Sequence, residues 1–337
     1  MIYGTLDVSK FIPADHTGDV SRILQKAIDE NPNRTLFFPD GEYPLDRPLR
    51  TPAEPAKSVS LRLSDYAVVR ATERFEEGQA LIRLGADFPA NDIRTPGSVY
   101  GLCGGILDGS GRADGVSIDG GRETVIRNVS IKNTRTGLHI RFGANNGSSD
   151  ADITNVNIVG NRTKEAIGVL AEGFDNTFTN MRIADVYQGV VIRSAGNILR
   201  SIHPLFTLDF ADFEGSRGFC DERGTNWYNV CYSDNFYYGY DEKNDIQSVY
   251  DSCYCMWYSP LGTRHTAFHT EKKFRSMVTN FKIGFKEGQS NNIILDAGEE
   301  GGAGVFDRII TPLHLVSDHA HEEYLRGGMF HKGKDLF

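Results

Sequence analysis

Between residues 114 and 194 the apolar positions return in a fixed frame. Gly115-Val116-Ser117-Ile118-Asp119, Gly137-Leu138-His139-Ile140-Arg141, Gly168-Val169-Leu170-Ala171-Glu172 and Gly189-Val190-Val191-Ile192-Arg193 each read as a glycine followed by alternating inward apolar and outward residues. Such alternation predicts strands with one buried and one exposed face. A second motif keeps step with the first: Asn128-Val129-Ser130-Ile131, Asn155-Val156-Asn157-Ile158, Asn180-Met181-Arg182-Ile183 and, more weakly, Ser201-Ile202. Copies recur every roughly 21–31 residues, a period typical of solenoids. Two short strands per copy cannot bury an apolar face alone, so each coil must stack on the next. The expected fold is all-β, a right-handed parallel β-helix.

Stacking gives the register chemical meaning. Parallel strands lie about 4.8 Å apart, so equivalent positions form ladders. The fifth position of the glycine motif reads Asp119, Arg141, Glu172, Arg193, continuing to Glu222 after Gly218 and to Lys243 after Gly239. The sign alternates at every step. Charge balance between neighbouring strands explains such a column. So does a groove whose carboxylates and guanidiniums contact a polymer.

The pattern changes toward the N-terminus. Asp7-Val8-Ser9-Lys10-Phe11 reads as a short strand. Asp19 or Thr17 can N-cap a helix from about Val20 to Glu30, with Ile23, Leu24, Ala27 and Ile28 on one face. That face suits an N-terminal capping helix over the open end of the solenoid. Strand and turn follow in Thr35-Leu36-Phe37-Phe38-Pro39-Asp40-Gly41-Glu42-Tyr43. One domain is expected over 1–337: a cap at 1–45, regular coils at 46–205, acidic and aromatic irregular coils at 206–260, and terminal coils with a tail at 261–337 covering the exit end.

Asp19, Leu24-Gln25, Ala27-Ile28, Leu36-Phe37-Phe38-Pro39, Gly41 and Tyr43 together resemble the N-terminal segment of the pectate-lyase-like β-helix superfamily. Gly105-Ile106-Leu107-Asp108-Gly109-Ser110-Gly111 is similar to a coil of polygalacturonases, with Leu107 inserted before the aspartate. The resemblance covers roughly residues 5–205. It implies the fold and a group containing lyases, hydrolases, epimerases, fructotransferases and phage tailspikes. The polygalacturonase catalytic motifs Asn-Thr-Asp, Asp-Asp and Gly-His-Gly are missing, so no catalytic residue carries over.

The densest candidate chemistry lies at 206–260. Asp209, Asp212, Asp221 and Glu222 precede Trp227, Tyr228, Tyr232, Phe236, Tyr237, Tyr238, Tyr240, Tyr250, Tyr254, Trp257 and Tyr258. Aromatic faces suit the C–H surfaces of sugars and polar groups suit their hydroxyls. Glycoside hydrolysis needs two carboxyl groups, and Glu172 and Glu222 stand two rungs apart, about 9.6 Å at strand spacing. Arg193 between them favours ionised carboxylates, so a proton donor is sought at Asp209, Asp212 or Asp221. Asp119, His139, Arg141, Arg193, Trp227, Tyr228 and Trp257 are the expected substrate contacts. The expected function is a glycoside hydrolase or transglycosylase acting on an oligo- or polysaccharide in the outer groove.

The alternative chemistry is that of a uronate lyase or epimerase, with Arg141 or Arg193 beside His139. Pectate lyases imply calcium for it, although no calcium-ligand run is recognisable; otherwise no cofactor and no metal are expected. His203, His265 and His269 read as surface histidines; His319 and His321 sit beside Asp318 and Glu322, but alternating spacing alone does not make a metal site. A third reading is a non-catalytic glycan-binding or tailspike-like structural protein, as a homo-oligomer such as a trimer.

Composition narrows the partners. The 337 residues carry a formal net charge of −9, which disfavours nucleic acid. No apolar run reaches membrane-spanning length. Met1-Ile2-Tyr3-Gly4 lacks a signal region, so the chain is expected in the cytoplasm as written, or secreted if a signal was removed. The five cysteines do not make an even disulfide set. Cys253 and Cys255 are too close for Cys-x-x-Cys metal spacing, so buried thiols are expected.

Overall fold

A computed structural model describes residues 4–52, 57–85, 100–142, 148–207, 214–258, 265–285, 293–299 and 302–310. Two compact units, 1–177 and 178–337, are each built of stacked parallel strands. The fold is the right-handed parallel β-helix with an N-terminal helix.

In the first unit the helix spans Ser21–Asp29 and buries Leu24, Ala27 and Ile28. Val20 occupies the N-cap without a side-chain bond. Asp19 acts instead: its Oδ1 accepts from the backbone N–H of Ser21 and of Asp46, both at 2.9 Å, and so ties the first turn to the chain beyond the next two strands. Residues 7–11 differ from the expected strand. Only Leu6–Asp7 is extended, and Val8–Phe11 is a 3-10 turn. The Asp7 carboxylate accepts from Ser9 N–H at 2.9 Å, a local bond that competes with strand pairing.

The coils follow the two sequence motifs. Val116, Leu138 and Val169 are register partners in successive strands, as are Ile118, Ile140 and Ala171, and all six are fully buried. The asparagine motif is a turn. Asn128 and Asn155 have φ of 58° and 55°, a left-handed conformation that asparagine tolerates, and Asn155 Nδ2 donates to Asn128 Oδ1 at 3.1 Å. The motif glycines answer a different need. A Cβ on Gly115 would lie 2.5 Å from Ile131 Cγ2, and one on Gly137 the same distance from Ile158 Cγ2. Only hydrogen fits where these strands pass the opposite sheet.

In the second unit one sheet stacks Gln188–Ile192, Arg217–Asp221, Tyr238–Glu242, Thr266–Lys273 and Ile293–Glu299. The expected irregularity at 206–260 is not found in its described part. Arg217–Asp221, Trp227–Asn229, Tyr232–Asp234, Tyr238–Glu242, Val249–Asp251 and Tyr254–Trp257 are regular, in-register strands. Aromatic side chains had disguised the repeat. Phe219, Tyr240 and Phe268 fill the inward place held by Val190. Phe219 stacks on Tyr240 with ring centroids 4.8 Å apart, and Tyr228 on Tyr250 at 4.4 Å. The tail from residue 311, with His319 and His321, lies outside the described residues. Among the described residues no helix is long and apolar enough to cross a membrane.

Candidate functional site

The charge ladder forms in both units. In the first, Asp119, Arg141 and Glu172 directly follow register-paired residues. Asp119 is 1% exposed. Its carboxylate accepts from the Arg83 guanidinium and from Ser117 Oγ at 2.7 Å, with Arg141 Nη1 at 3.7 Å. As a substrate contact Asp119 is therefore corrected: it is buried beneath its cations. His139 Nε2 lies 2.8 Å from Glu172 Oε2. In the second unit Arg193 Nε donates to Glu222 Oε2 at 2.8 Å, and Lys243 Nζ pairs with Glu271 at 3.0 Å. The ladder residues thus hold partners within the protein.

Three further candidates point inward and are corrected. Asp221, 1% exposed, accepts from Arg223 N–H, Gly224 N–H, Tyr228 OH at 3.1 Å and Ser248 Oγ at 2.9 Å. It is a hub of the interior. Tyr228 stacks on Tyr250, and Trp257 is fully buried with Nε1 donating to Phe236 O at 3.3 Å. Inward alternation decides all three. Trp227 is 45% exposed and remains available. Asp209 and Asp212 lie outside the described residues.

A cluster not singled out from the sequence occupies the outward face of the second unit. Cys220, Asp241, His269 and Asp296 are consecutive register partners. Asp241, 2% exposed, accepts from Arg217 Nε and from His269 Nδ1 at 2.7 Å. Burial works against its charge. The hydrogen bond and charge of His269, together with Arg217, outweigh that and hold the carboxyl below its ordinary value. An ionised Asp241 can only accept, so Nδ1 donates to it and Nε2 is left as the outer nitrogen of the ring. Nε2 has no partner among the described residues. The Tyr238 ring stacks on His269 at 4.3 Å, with the Arg217 guanidinium 5.8 Å from its centroid and Tyr237 edge-on at 4.7 Å. Burial, then the charges around it, push the Tyr238 phenol up to about 12, so it stays protonated.

A comparable contact lies on another sheet of this unit. His203 Nε2 is 3.0 Å from Asp234 and its ring stacks on Tyr232 at 3.6 Å.

No cluster of three or more His, Cys, Asp or Glu side chains among the described residues could hold a metal ion. The described residues therefore offer no such set for the calcium that a lyase reading implies.

The fold is that of the pectate-lyase-like β-helices. No family model and no curated protein matches the chain. Solved structures do. The tailspike protein of E. coli bacteriophage HK620, in a double-mutant form, matches with a TM-score of 0.58 and 10% identity, covering 91% of this chain and 65% of that one. Another mutant of the same tailspike was solved in complex with a hexasaccharide. The surface protein and adhesin PfbA of Streptococcus pneumoniae matches at 0.55 and 12% identity, over 91% and 94% of the two chains. Endo-xylogalacturonan hydrolase from Aspergillus tubingensis matches at 0.53 and 12%, over 91% and 95%. The chain spans about two thirds of the tailspike. These likenesses are likenesses of fold.

Sequence reasoning missed Arg217, Asp241 and Asp296, held Tyr238 only as one of the aromatic stretch, and placed His269 on the surface without a role. The available signal was the second residue after the motif glycine. In Gly239-Tyr240-Asp241 and Ala267-Phe268-His269 this is an acid beneath a histidine, but Ala267 replaces the glycine that marks the register.

Proposed function

We propose that this protein is a carbohydrate-active enzyme that holds an oligo- or polysaccharide along the outward face of the Tyr238–Glu242 strand and its neighbours. The proton is moved by His269. The carrying observation is the 2.7 Å contact between Asp241 and His269 Nδ1, which fixes the tautomer and turns Nε2 into a base. Arg217 keeps Asp241 ionised, and Tyr238 limits rotation of the imidazole. The rings of Tyr237 and Tyr238 offer apolar edges to a sugar, and the Arg217 guanidinium beside Tyr238 suits a uronate carboxylate. Proton abstraction beside such a carboxylate, giving elimination or epimerisation, is the chemistry this set supports best. The fold shared with a hexasaccharide-binding tailspike and a xylogalacturonan hydrolase supports the carbohydrate class.

Glycoside hydrolysis or transglycosylation is the second reading. It requires two carboxyl groups, and the alignment of Asp296 one rung from His269 favours it. Asp296, in register with His269, is the acid to test for this reading.

A panel of neutral and uronate-containing oligosaccharides separates the readings. Absorbance of an unsaturated uronate, or exchange of the C5 proton with solvent, supports the first; new reducing ends without either support the second. His269→Gln is expected to lower turnover about 10²–10⁴-fold with folding intact. Asp241→Asn should do the same but also destabilise, because it leaves Arg217 without its carboxylate. Full activity in His269→Gln would refute the assignment, and no turnover on any glycan would favour a binding protein.

A further inference from the structure

Inside the second unit, Met181, Ile202, Cys231, Cys253, Phe281 and Ile309 follow one another in the same inward column, all at most 2% exposed. Two successive rungs are cysteine. Their register is fixed on both sides, by Asn229 opposite Asp251 and Tyr232 opposite Tyr254. The two Cα atoms are therefore about one strand spacing apart, roughly 4.8 Å, inside the window of about 4.4–6.8 Å that a disulfide spans. The Cys231 thiol lies 3.5 and 3.6 Å from the backbone carbonyls of Leu199 and Asn229, and the Cys253 thiol at the same distances from those of Tyr228 and Asp251. Other rungs of the column use apolar residues of ordinary size, so packing alone does not call for a thiol pair.

We propose that Cys231 and Cys253 are a disulfide-forming pair that staples two successive coils. The coil entered through Cys231 continues into the strand carrying Asp241, and the coil entered through Cys253 continues into the strand carrying His269. The bond therefore joins the two rungs whose outward side chains make the candidate centre. Tyr240 OH, which donates to Cys231 O at 2.7 Å, fastens the staple to the same strand. The oxidant is a small disulfide such as glutathione disulfide. One thiolate attacks it and expels a glutathione thiolate. The second cysteine, losing its proton, then displaces the other glutathione from the mixed disulfide. The protein loses two electrons and two protons overall, and the oxidant is reduced to two thiols. Both cysteines are closed off in the folded coils, so closure belongs to folding. The pairing stands without the proposed reaction; only its consequence for the centre rests on that reading.

The test is to refold the full chain from denaturant in a glutathione redox buffer, then to titrate thiols in denaturant without reductant. Two of the five thiols should fail to react. Tryptic and chymotryptic digestion, the latter cutting at Tyr254 between Cys253 and Cys255, should yield a linked peptide containing Cys231 and Cys253 and no other. The oxidised protein should melt several degrees above the dithiothreitol-treated protein, a difference that Cys231→Val abolishes. Five reactive thiols, or a bond through Cys103, Cys220 or Cys255, would overturn the proposal. Because thiol count and linkage do not read catalysis, a failed glycan assay leaves this result standing.

Discussion

The two tryptophans of this chain separate what a residue is from what it does. Trp257 is fully buried and Trp227 is 45% exposed. Trp257→Ala should cost about 3–5 kcal/mol through cavity formation, whereas Trp227→Ala should stay within about 0.5 kcal/mol; denaturant unfolding curves of the two variants check both. Glu172 is a milder case. Its bond to His139 is partly solvated, with side chains 24% and 30% exposed, so Glu172→Gln should destabilise by about 0–1 kcal/mol, by the same measurement. At this scale the sequence was informative about side-chain type and silent about partners. Asp221 and Asp241 are both acids next to aromatics. One serves the interior and the other the surface, because they differ by one strand position in register.

At the scale of elements, the glycine and asparagine motifs were legible because each has a local physical cause. The asparagines bend the chain through left-handed φ. The glycines leave room for the opposite sheet. Gly239→Ala tests the second cause: its Cβ would collide with Cys255 Sγ and meet Ala267 O at 2.9 Å. Overpacking of about 1–3 kcal/mol is expected, read as a lowered Tm, and Cys255→Ala should recover part of it. The aromatic coils at 214–258 were less legible. Tyr and Phe in the inward column obey the same alternation as Val and Ile, but their polar and aromatic character made an ordinary core resemble a binding surface. The turn at Val8–Phe11 was missed because one side-chain bond from Asp7 outweighed a strand-like pattern.

For the whole molecule, buried titratable groups set an unusual pH dependence. Burial raises Glu242 from 4.5 to about 8, with the Ser276 hydrogen bond opposing it and the Asp221 charge adding to it. Burial lowers His265 from 6.5 to about 4, opposed by its bond to Phe236 O. A raised Glu242 gives stability fully present below 4.5 and lost as pH rises through about 8. A depressed His265 gives stability present above 6.5 and lost as pH falls through about 4. The two slopes oppose each other between 4.5 and 6.5, and only the Glu242 loss acts above. Tm should therefore rise to a plateau over about pH 4.5–6.5 and fall toward pH 8. Glu242→Gln should remove the upper fall and expose a rise up to about pH 6.5. A Tm flat from pH 6 to 9 in the wild-type chain would contradict this.

The sequence by itself determined the fold class, the N-terminal helix, the turn and glycine motifs and the register of the charge ladder. Each follows from residues close in the chain or from a repeat that copies one local solution. The tertiary structure decided which acids face solvent, which aromatics are core and which histidine meets which carboxylate. Asp241 and His269 are 28 residues apart in the chain and touch only because one whole coil closes between them. Cys231 and Cys253 meet for the same reason. Contacts between rungs depend on the length of every intervening turn, and a sequence motif records a strand's alternation without recording that length.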